Sequence, residues 1–178
     1  MNKESKLLEM LTGYAAAHQH PFNVTVHMIG IPTIMLGVLI ALSWARIELP
    51  FMGFSLAHVV LLAFVAFYFS LDAVFALVFA VFGILLVVAA ERIAMLPLPV
   101  SGGIAAACFF GGYFLQFVGH AVEKSMPVLV KHPIQAQLAA PFFTVVELFK
   151  LLRLREALFD EVQRRIARQR DAGAVPSD

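Results

Sequence analysis

A chain of 178 residues that is 61% apolar, 14% charged and +0.85 in mean hydropathy cannot clothe a water-soluble globule, which carries about 25% charged residues. Eleven glycines, nine prolines and one cysteine (Cys108) exclude a collagen, a disordered chain, an intramolecular disulfide scaffold and a multi-cysteine metal cluster. The net charge of +1 calls for no nucleic-acid partner, so the expectation is one compact membrane domain over residues 1–170.

Residues 1–11 mix Lys3, Glu4, Lys6 and Glu9 with apolar side chains, which is not the pattern of a secretory signal. Leu7, Leu8, Leu11 and Tyr14 recur at helical spacing and predict an amphipathic helix over 3–17, lying near the membrane surface. Residues 28–45 form the first apolar span. The next stretch, 51–90, holds a single formal charge, Asp72. As one helix it would reach about 60 Å, twice the hydrocarbon thickness. It must fold back, and the Ser70-Leu71-Asp72 neighbourhood predicts the turn, giving spans 51–70 and 71–90. The prolines at 97 and 99 break the chain before a fourth span, 100–119, whose Gly102, Gly103, Ala107, Gly111 and Gly112 permit close helix packing. Residues 141–154 are apolar but interrupted by Glu147, Lys150 and Arg153; they do not make a fifth span. A charged helix over 156–170 and a disordered tail over 171–178 complete the chain.

The fold class expected is therefore all-α: a polytopic membrane bundle of four transmembrane helices, with interfacial helices on the cytoplasmic side. Of 13 Lys and Arg residues, only Arg46 and Arg92 fall in loops on the far side. An even number of spans and this bias place both termini in the cytoplasm. Short loops and the lack of eukaryotic targeting signals point to a bacterial inner membrane.

Span parity brings chemistry together. His27 opens the first span and His120 closes the fourth, so both reach one depth, and Asp72 in the second turn reaches that side too. Pro21 favours the first turn of a helix, which puts Asn23 and His27 on one face and lets His18 approach from the preceding segment. Gln116, His120 and Glu123 likewise share a face. Imidazoles and carboxylates around an open position suit non-haem Fe(II), although histidine alone does not separate iron from zinc. Plainer roles compete. His58 and His132 read as hydrogen-bonded boundary residues, and His20 as a neighbour of the helix start that also shares the Asn23–His27 face. Asp72 has a turn to hydrogen-bond, Glu123 and Lys124 an ordinary surface pairing, and Glu147 a partner in Lys150. Cys108 reads as a small apolar residue, and the 17 phenylalanines as lipid-facing and core packing.

The segment from Tyr14 through His18, Asn23 and His27 to Pro32 resembles the opening signature of the Mpo1-like family. Gln116 through Gly119, His120, Glu123, Lys124 and Pro127, followed by Ala140, Pro141 and Glu147, is similar to its closing signature, and Tyr68 with Asp72 fits its middle hairpin. The resemblance covers about residues 10–150. It implies an Fe(II)-dependent dioxygenase of fatty-acid α-oxidation that takes a 2-hydroxy fatty acid and O2 to a fatty acid one carbon shorter, within membrane lipid. By position it implies His18, His27 and His120 as metal ligands, and Asn23, Asp72 and Glu123 as supports, with Glu123 a further candidate ligand. Lys124 and Lys131 are the cations on the side where a substrate carboxylate would bind. Neither His20 nor His132 is fixed by the pattern. The rival classes are a metal-dependent lipid hydrolase, and a transporter or scaffold without enzymatic activity.

Overall fold

The computed structural model describes residues 3–16, 18–49, 52–126, 130 and 133–171. Its elements, in chain order, are α1 (Lys3–Ala16), α2 (Pro21–Ser43), β1 (Arg46–Leu49), β2 (Met52–Ser55), α3 (Leu56–Phe69), α4 (Ala73–Ala94), α5 (Leu98–Glu123), α6 (Pro133–Leu151) and α7 (Glu156–Asp171). Helices dominate, as the apolar periodicity demands. Three of them, α2, α4 and α5, are long and apolar enough to cross a membrane, and α3 is a shorter apolar helix. These lengths and compositions are those of a membrane protein.

The second span departs from expectation. It begins at Leu56 rather than 51, because the chain after α2 first makes a small antiparallel hairpin that pairs Arg46 with Ser55 and Glu48 with Gly53. Ser55 then caps α3: its hydroxyl lies 3.0 Å from His58 Nδ1 and donates to Glu91 Oε1 at 2.9 Å. His58 is thus a capping residue held to the start of its own helix. The 14-residue α3 spans about 21 Å, short of a typical hydrocarbon core. Its other end turns at Ser70 and Leu71, where Asp72 caps α4 by accepting from the N–H groups of Val74 (2.9 Å) and Phe75 (3.1 Å). The turn sits where the lone charge in the apolar stretch places it.

Helices α2 and α5 form the central pair. A methyl group on Gly37 would lie 2.7 Å from the Ala105 carbonyl oxygen, and one on Gly112 would lie 2.8 Å from the Gly30 carbonyl oxygen. Gly30 and Gly37 on α2 therefore meet Gly112 and Ala105 on α5 backbone against backbone, and one heptad further on the side chains of Asn23 and Val26 fit against Gly119. Of the five small residues singled out in the fourth span, only Gly112 is in this seam. Gly103 and Gly111 face open space, and Ala107 is exposed.

Two apolar clusters flank the pair. Leu39, Ile40, Ala57, Val87, Ala90 and Ala105 pack near the hairpin end. At the opposite end Tyr68, Phe75, Phe79, Phe142 and Phe149 pack with Leu7, Leu8 and Leu11 of α1 and Val162 and Ile166 of α7. The apolar stripe of α1 is thus covered by protein, and its amphipathic pattern reflects packing against α6 and α7. Arg155 Nη1 donates to Asp72 Oδ2 at 2.7 Å, fastening the start of α7 to the start of α4. Tyr68 donates to the Leu138 carbonyl at 2.8 Å and ties α3 to α6. Together these straps close α1, α6 and α7 over the end of the bundle where His27 and His120 lie. The last residues, 172–178, lie outside the described residues, as does the tail expected there.

Candidate metal centre

Pro21 occupies the first turn of α2, so the helix starts there and His18 remains in the irregular segment before it. His27 lies two turns into α2, and His120 in the last turn of α5. The three rings meet, with centroids 4.4 Å (His18–His27), 4.9 Å (His27–His120) and 5.0 Å (His18–His120) apart. One ligating nitrogen from each lies within 4.8 Å of the others, and all three side chains are buried.

Hydrogen bonds decide which nitrogen faces inward. His18 Nδ1 is 2.8 Å from the Tyr14 carbonyl oxygen and His27 Nδ1 is 2.9 Å from that of Asn23. A carbonyl oxygen only accepts, so each Nδ1 carries the proton and each Nε2 keeps its lone pair. His120 Nδ1 is held 2.9 Å from Ser125 Oγ. The buried Nε2 of His18 has no hydrogen-bond partner among the described residues. An orphaned buried acceptor facing two further imidazoles is costly without a ligand, and neutral imidazole with its second nitrogen bonded to a carbonyl is how metal-bound histidines are oriented. The cluster can hold a metal.

Tyr14 stacks on His18 at 4.1 Å with the rings 5° from parallel, and Phe143 packs against both. This apolar wall explains the electrostatics. Burial, then the neighbouring His27, push the His18 imidazole down to about 3, so it is neutral at ordinary pH and available as a ligand. Burial and the Glu147 carboxylate push the Tyr14 phenol well above its usual range.

Both carboxylate oxygens of Glu123 are engaged by the segment before α2 and by its first turn. Its Oε1 accepts from the backbone N–H groups of Gln19 (2.6 Å) and His20 (2.9 Å), and its Oε2 accepts from the Asn23 amide. One carboxylate at the end of α5 therefore grips the segment that carries His18 and the turn of α2 whose Asn23 carbonyl orients His27. Gly119, one turn earlier, gives Asn23 the room to reach it. Among the other residues singled out from sequence, the structure does not bring Asp72 to the histidines. Its carboxylate caps α4 and binds Arg155, and those partners outweigh partial burial to hold it below its usual range. Lys124 is exposed at the left-handed end of α5, with φ of 56°. Lys131 and His132 lie outside the described residues. His20 caps α2, its Nδ1 accepting from the Phe22 N–H at 3.2 Å. Glu147 is largely buried on α6, 3.4 Å from Lys150, where burial pushes its carboxyl up against the opposing effect of the ammonium.

Beside the rings is a cavity of about 60 Å³, large enough for a few water-sized groups. Gln116, Tyr113 and Gln137 give it polar groups, and Gln137 donates to the Tyr113 hydroxyl at 2.8 Å, joining α6 to α5. Gln116 is legible from its place on the His120 face. Ser125, Tyr113 and Gln137 carry no sequence signal that marks them, because their partners lie across a turn or on another helix.

The comparisons agree with this geometry. The family model described as 2-hydroxy-palmitic acid dioxygenase Mpo1-like matches residues 5–152. The 2-hydroxy-palmitic acid dioxygenase MPO1 of Saccharomyces cerevisiae is 33% identical over 148 residues, which are 82% of this chain and 81% of the yeast protein. No solved structure matches the chain. The matched region runs from α1 to the end of α6 and contains all three histidines, Asn23 and Glu123; the chain belongs to the Mpo1-like family.

Proposed function

We propose that this protein is an Fe(II)-dependent dioxygenase that converts a 2-hydroxy fatty acid to the fatty acid one carbon shorter. The observation that carries this is the buried trio of His18, His27 and His120, with Nδ1 of His18 and His27 bonded to carbonyls and Nε2 left for a metal. The name of the yeast relative supplies the substrate class.

In this reading the Nε2 atoms of His18, His27 and His120 would hold the iron. Bound Fe(II) supplies the electrons that let triplet dioxygen react with a spin-paired substrate. Glu123 and Asn23 act as positioning residues, fixing the segment and the carbonyl that aim His18 and His27. Gln116, Gln137 and the Tyr113 hydroxyl offer hydrogen bonds to the hydroxyl and carboxylate of the substrate head. Lys124 and Lys131 draw the carboxylate toward the cytoplasmic face, and Asp72 anchors the α3–α4 turn against α7. The apolar wall of Tyr14 and Phe143 excludes bulk water. The overall reaction balances as RCH(OH)COOH + O2 → RCOOH + CO2 + H2O. Taking the hydroxyl-bearing carbon to a carboxyl while the old carboxyl leaves as CO2 is a four-electron oxidation overall, which matches the capacity of one O2, so no separate reductant is required.

The same proposal places residues 1–170 as one domain in a bacterial inner membrane. Helices α2 to α5 cross it and both termini are cytoplasmic, because eleven of 13 Lys and Arg residues then lie inside. Single-cysteine reporters at Glu48 and Lys6, in a Cys108→Ser background, should label from opposite faces; labelling from one face would refute that arrangement.

The activity is tested by supplying the iron-loaded protein with 2-hydroxypalmitic acid under air and following oxygen uptake and products. Pentadecanoic acid should form one-for-one with oxygen consumed, and not at all under argon. Release of an intact 2-hydroxy acid from an ester, without oxygen uptake, would instead identify a hydrolase.

A further inference from the structure

A second cavity, of about 110 Å³, lies among α2, α3, α4 and α6, deeper in the apolar part of the bundle. Four residues line both it and the histidine cavity: Ile34, Met35, Gln137 and Pro141. The two spaces therefore share a wall, and the polar side chain of Gln137 stands at their junction. Beyond that junction the lining is wholly apolar, including Leu39, Val60, Leu61, Phe64 and Phe79. Gly83 forms part of the far side, where any larger residue would strike Leu61. Val38 also lines the space and is 37% exposed, so the slot opens between α2 and α3 on the outer surface of the bundle.

We infer that this slot holds the alkyl chain of the 2-hydroxy fatty acid whose head binds at the histidines. The inference rests on the proposed function for the identity of the head group. Its own support is that a polar, imidazole-lined chamber adjoins an apolar one across four common residues, an arrangement that matches a single amphiphile. The histidine chamber is too small for a long chain, so the tail has to leave it, and Ile34, Met35 and Pro141 offer an apolar edge toward the slot. The larger cavity on the other side of Tyr14 does not offer this path. It is rimmed by Glu147, Lys150, Glu156 and Asp160 and shares only Tyr14 with the histidine cavity. The open mouth at Val38 carries a specificity consequence: the first methylenes are held by protein and the remainder lie in lipid. Binding should strengthen with chain length until the slot is filled and then level off.

The test is photolabelling of the purified full-length, iron-loaded protein with a 2-hydroxy fatty acid that carries a diazirine in mid-chain, followed by mass-spectrometric mapping. Label should fall on α2, α3 and α4 at slot residues such as Val38, Val60, Leu61 and Phe79, and unlabelled 2-hydroxypalmitic acid should compete it away. Val60→Trp, which fills the slot without touching the histidine chamber, should weaken long-chain labelling about tenfold if it displaces two methylenes, with metal content unchanged. Competable label on Phe159 or Val162 would overturn the inference, as would label spread over outward-facing Leu62, Val81 and Leu85. Slot labelling without oxygen-dependent shortening would uphold the slot and refute the dioxygenase; shortening without slot labelling would do the reverse. Should Val60→Trp fail to fold, the wild-type label map decides alone.

Discussion

The Glu123 carboxylate accepts from three donors on the segment that carries His18 and the start of α2, 100 or more residues away in sequence. Glu123→Ala leaves two backbone N–H groups and the Asn23 amide without their acceptor. The His20 N–H is exposed and can turn to water, whereas the Gln19 N–H and the amide of buried Asn23 are shielded, where an unsatisfied donor costs about 1–3 kcal/mol; loss of an orienting partner lowers metal affinity about 10–100-fold. Glu123→Gln should recover part of that affinity, since its amide oxygen still serves the Gln19 and His20 N–H groups. A metal titration of the three proteins checks this; equal affinities would show that the grip on α2 does not matter to the site. Glu147 makes the second residue-scale prediction. A carboxyl raised by burial contributes stability that is full below its ordinary value and is lost as pH rises through the raised one. As pH rises above the ordinary carboxyl value, the unfolding midpoint of the wild type should therefore fall relative to that of Glu147→Gln, whose side chain does not titrate. The half-exposed Lys150 partner offsets this by no more than about 1 kcal/mol. Parallel midpoints over that rise would contradict it. At this scale the sequence was legible where spacing along one helix sufficed, as for Asn23 and His27 or Gln116 and His120. It was silent where a partner sits across a turn or on another helix: Ser125 beside His120, and Arg155 on Asp72.

The seam between α2 and α5 sets the distance between His27 and His120, and it is made of glycine against backbone. A methyl on Gly112 would meet Ile34 Cγ1 at 2.6 Å and the Gly30 carbonyl oxygen at 2.8 Å, so the helices must separate to admit it. Gly112→Ala should cost about 1–3 kcal/mol and reduce metal occupancy. Gly111→Ala, one residue away, meets open space and should retain full occupancy while gaining up to about 1 kcal/mol of helix propensity. Thermal unfolding and metal content of the two variants separate the cases; similar losses in both would mean that close approach is not what holds the histidines. Composition alone marks all of these glycines. Which of them face the partner depends on the rotation of α5, and a helix that is apolar on every side does not reveal that rotation. The same difficulty moved the start of the second span, because Met52 to Ser55 carry no charge to set them apart from the helix that follows and only pairing with Arg46 to Leu49 removes them from it.

At the scale of the whole molecule, the bundle gathers its polar chemistry at one end and covers it. Helices α1, α6 and α7 close over the histidines through the aromatic cluster of Phe75, Phe142 and Phe149, fastened by the Arg155–Asp72 pair. Convergence of His27 and His120 was legible from the parity of the spans, and the approach of His18 from the helix start that Pro21 imposes. The cover was not, because the stripe of Leu7, Leu8, Leu11 and Tyr14 is equally suited to a membrane surface and to a protein partner. That difference has a chemical meaning: a protein cover buries three imidazoles that could hold a metal.

The measurement that tests this most directly is the metal content of protein purified without chelator or histidine tag, beside a His27→Ala/His120→Ala double variant. An iron site built on these histidines should give close to one iron per chain in the wild type and none in the variant, with both shown to be folded. Folded wild-type protein that takes up no metal after anaerobic Fe(II) reconstitution would contradict it, as would iron that survives the loss of both histidines.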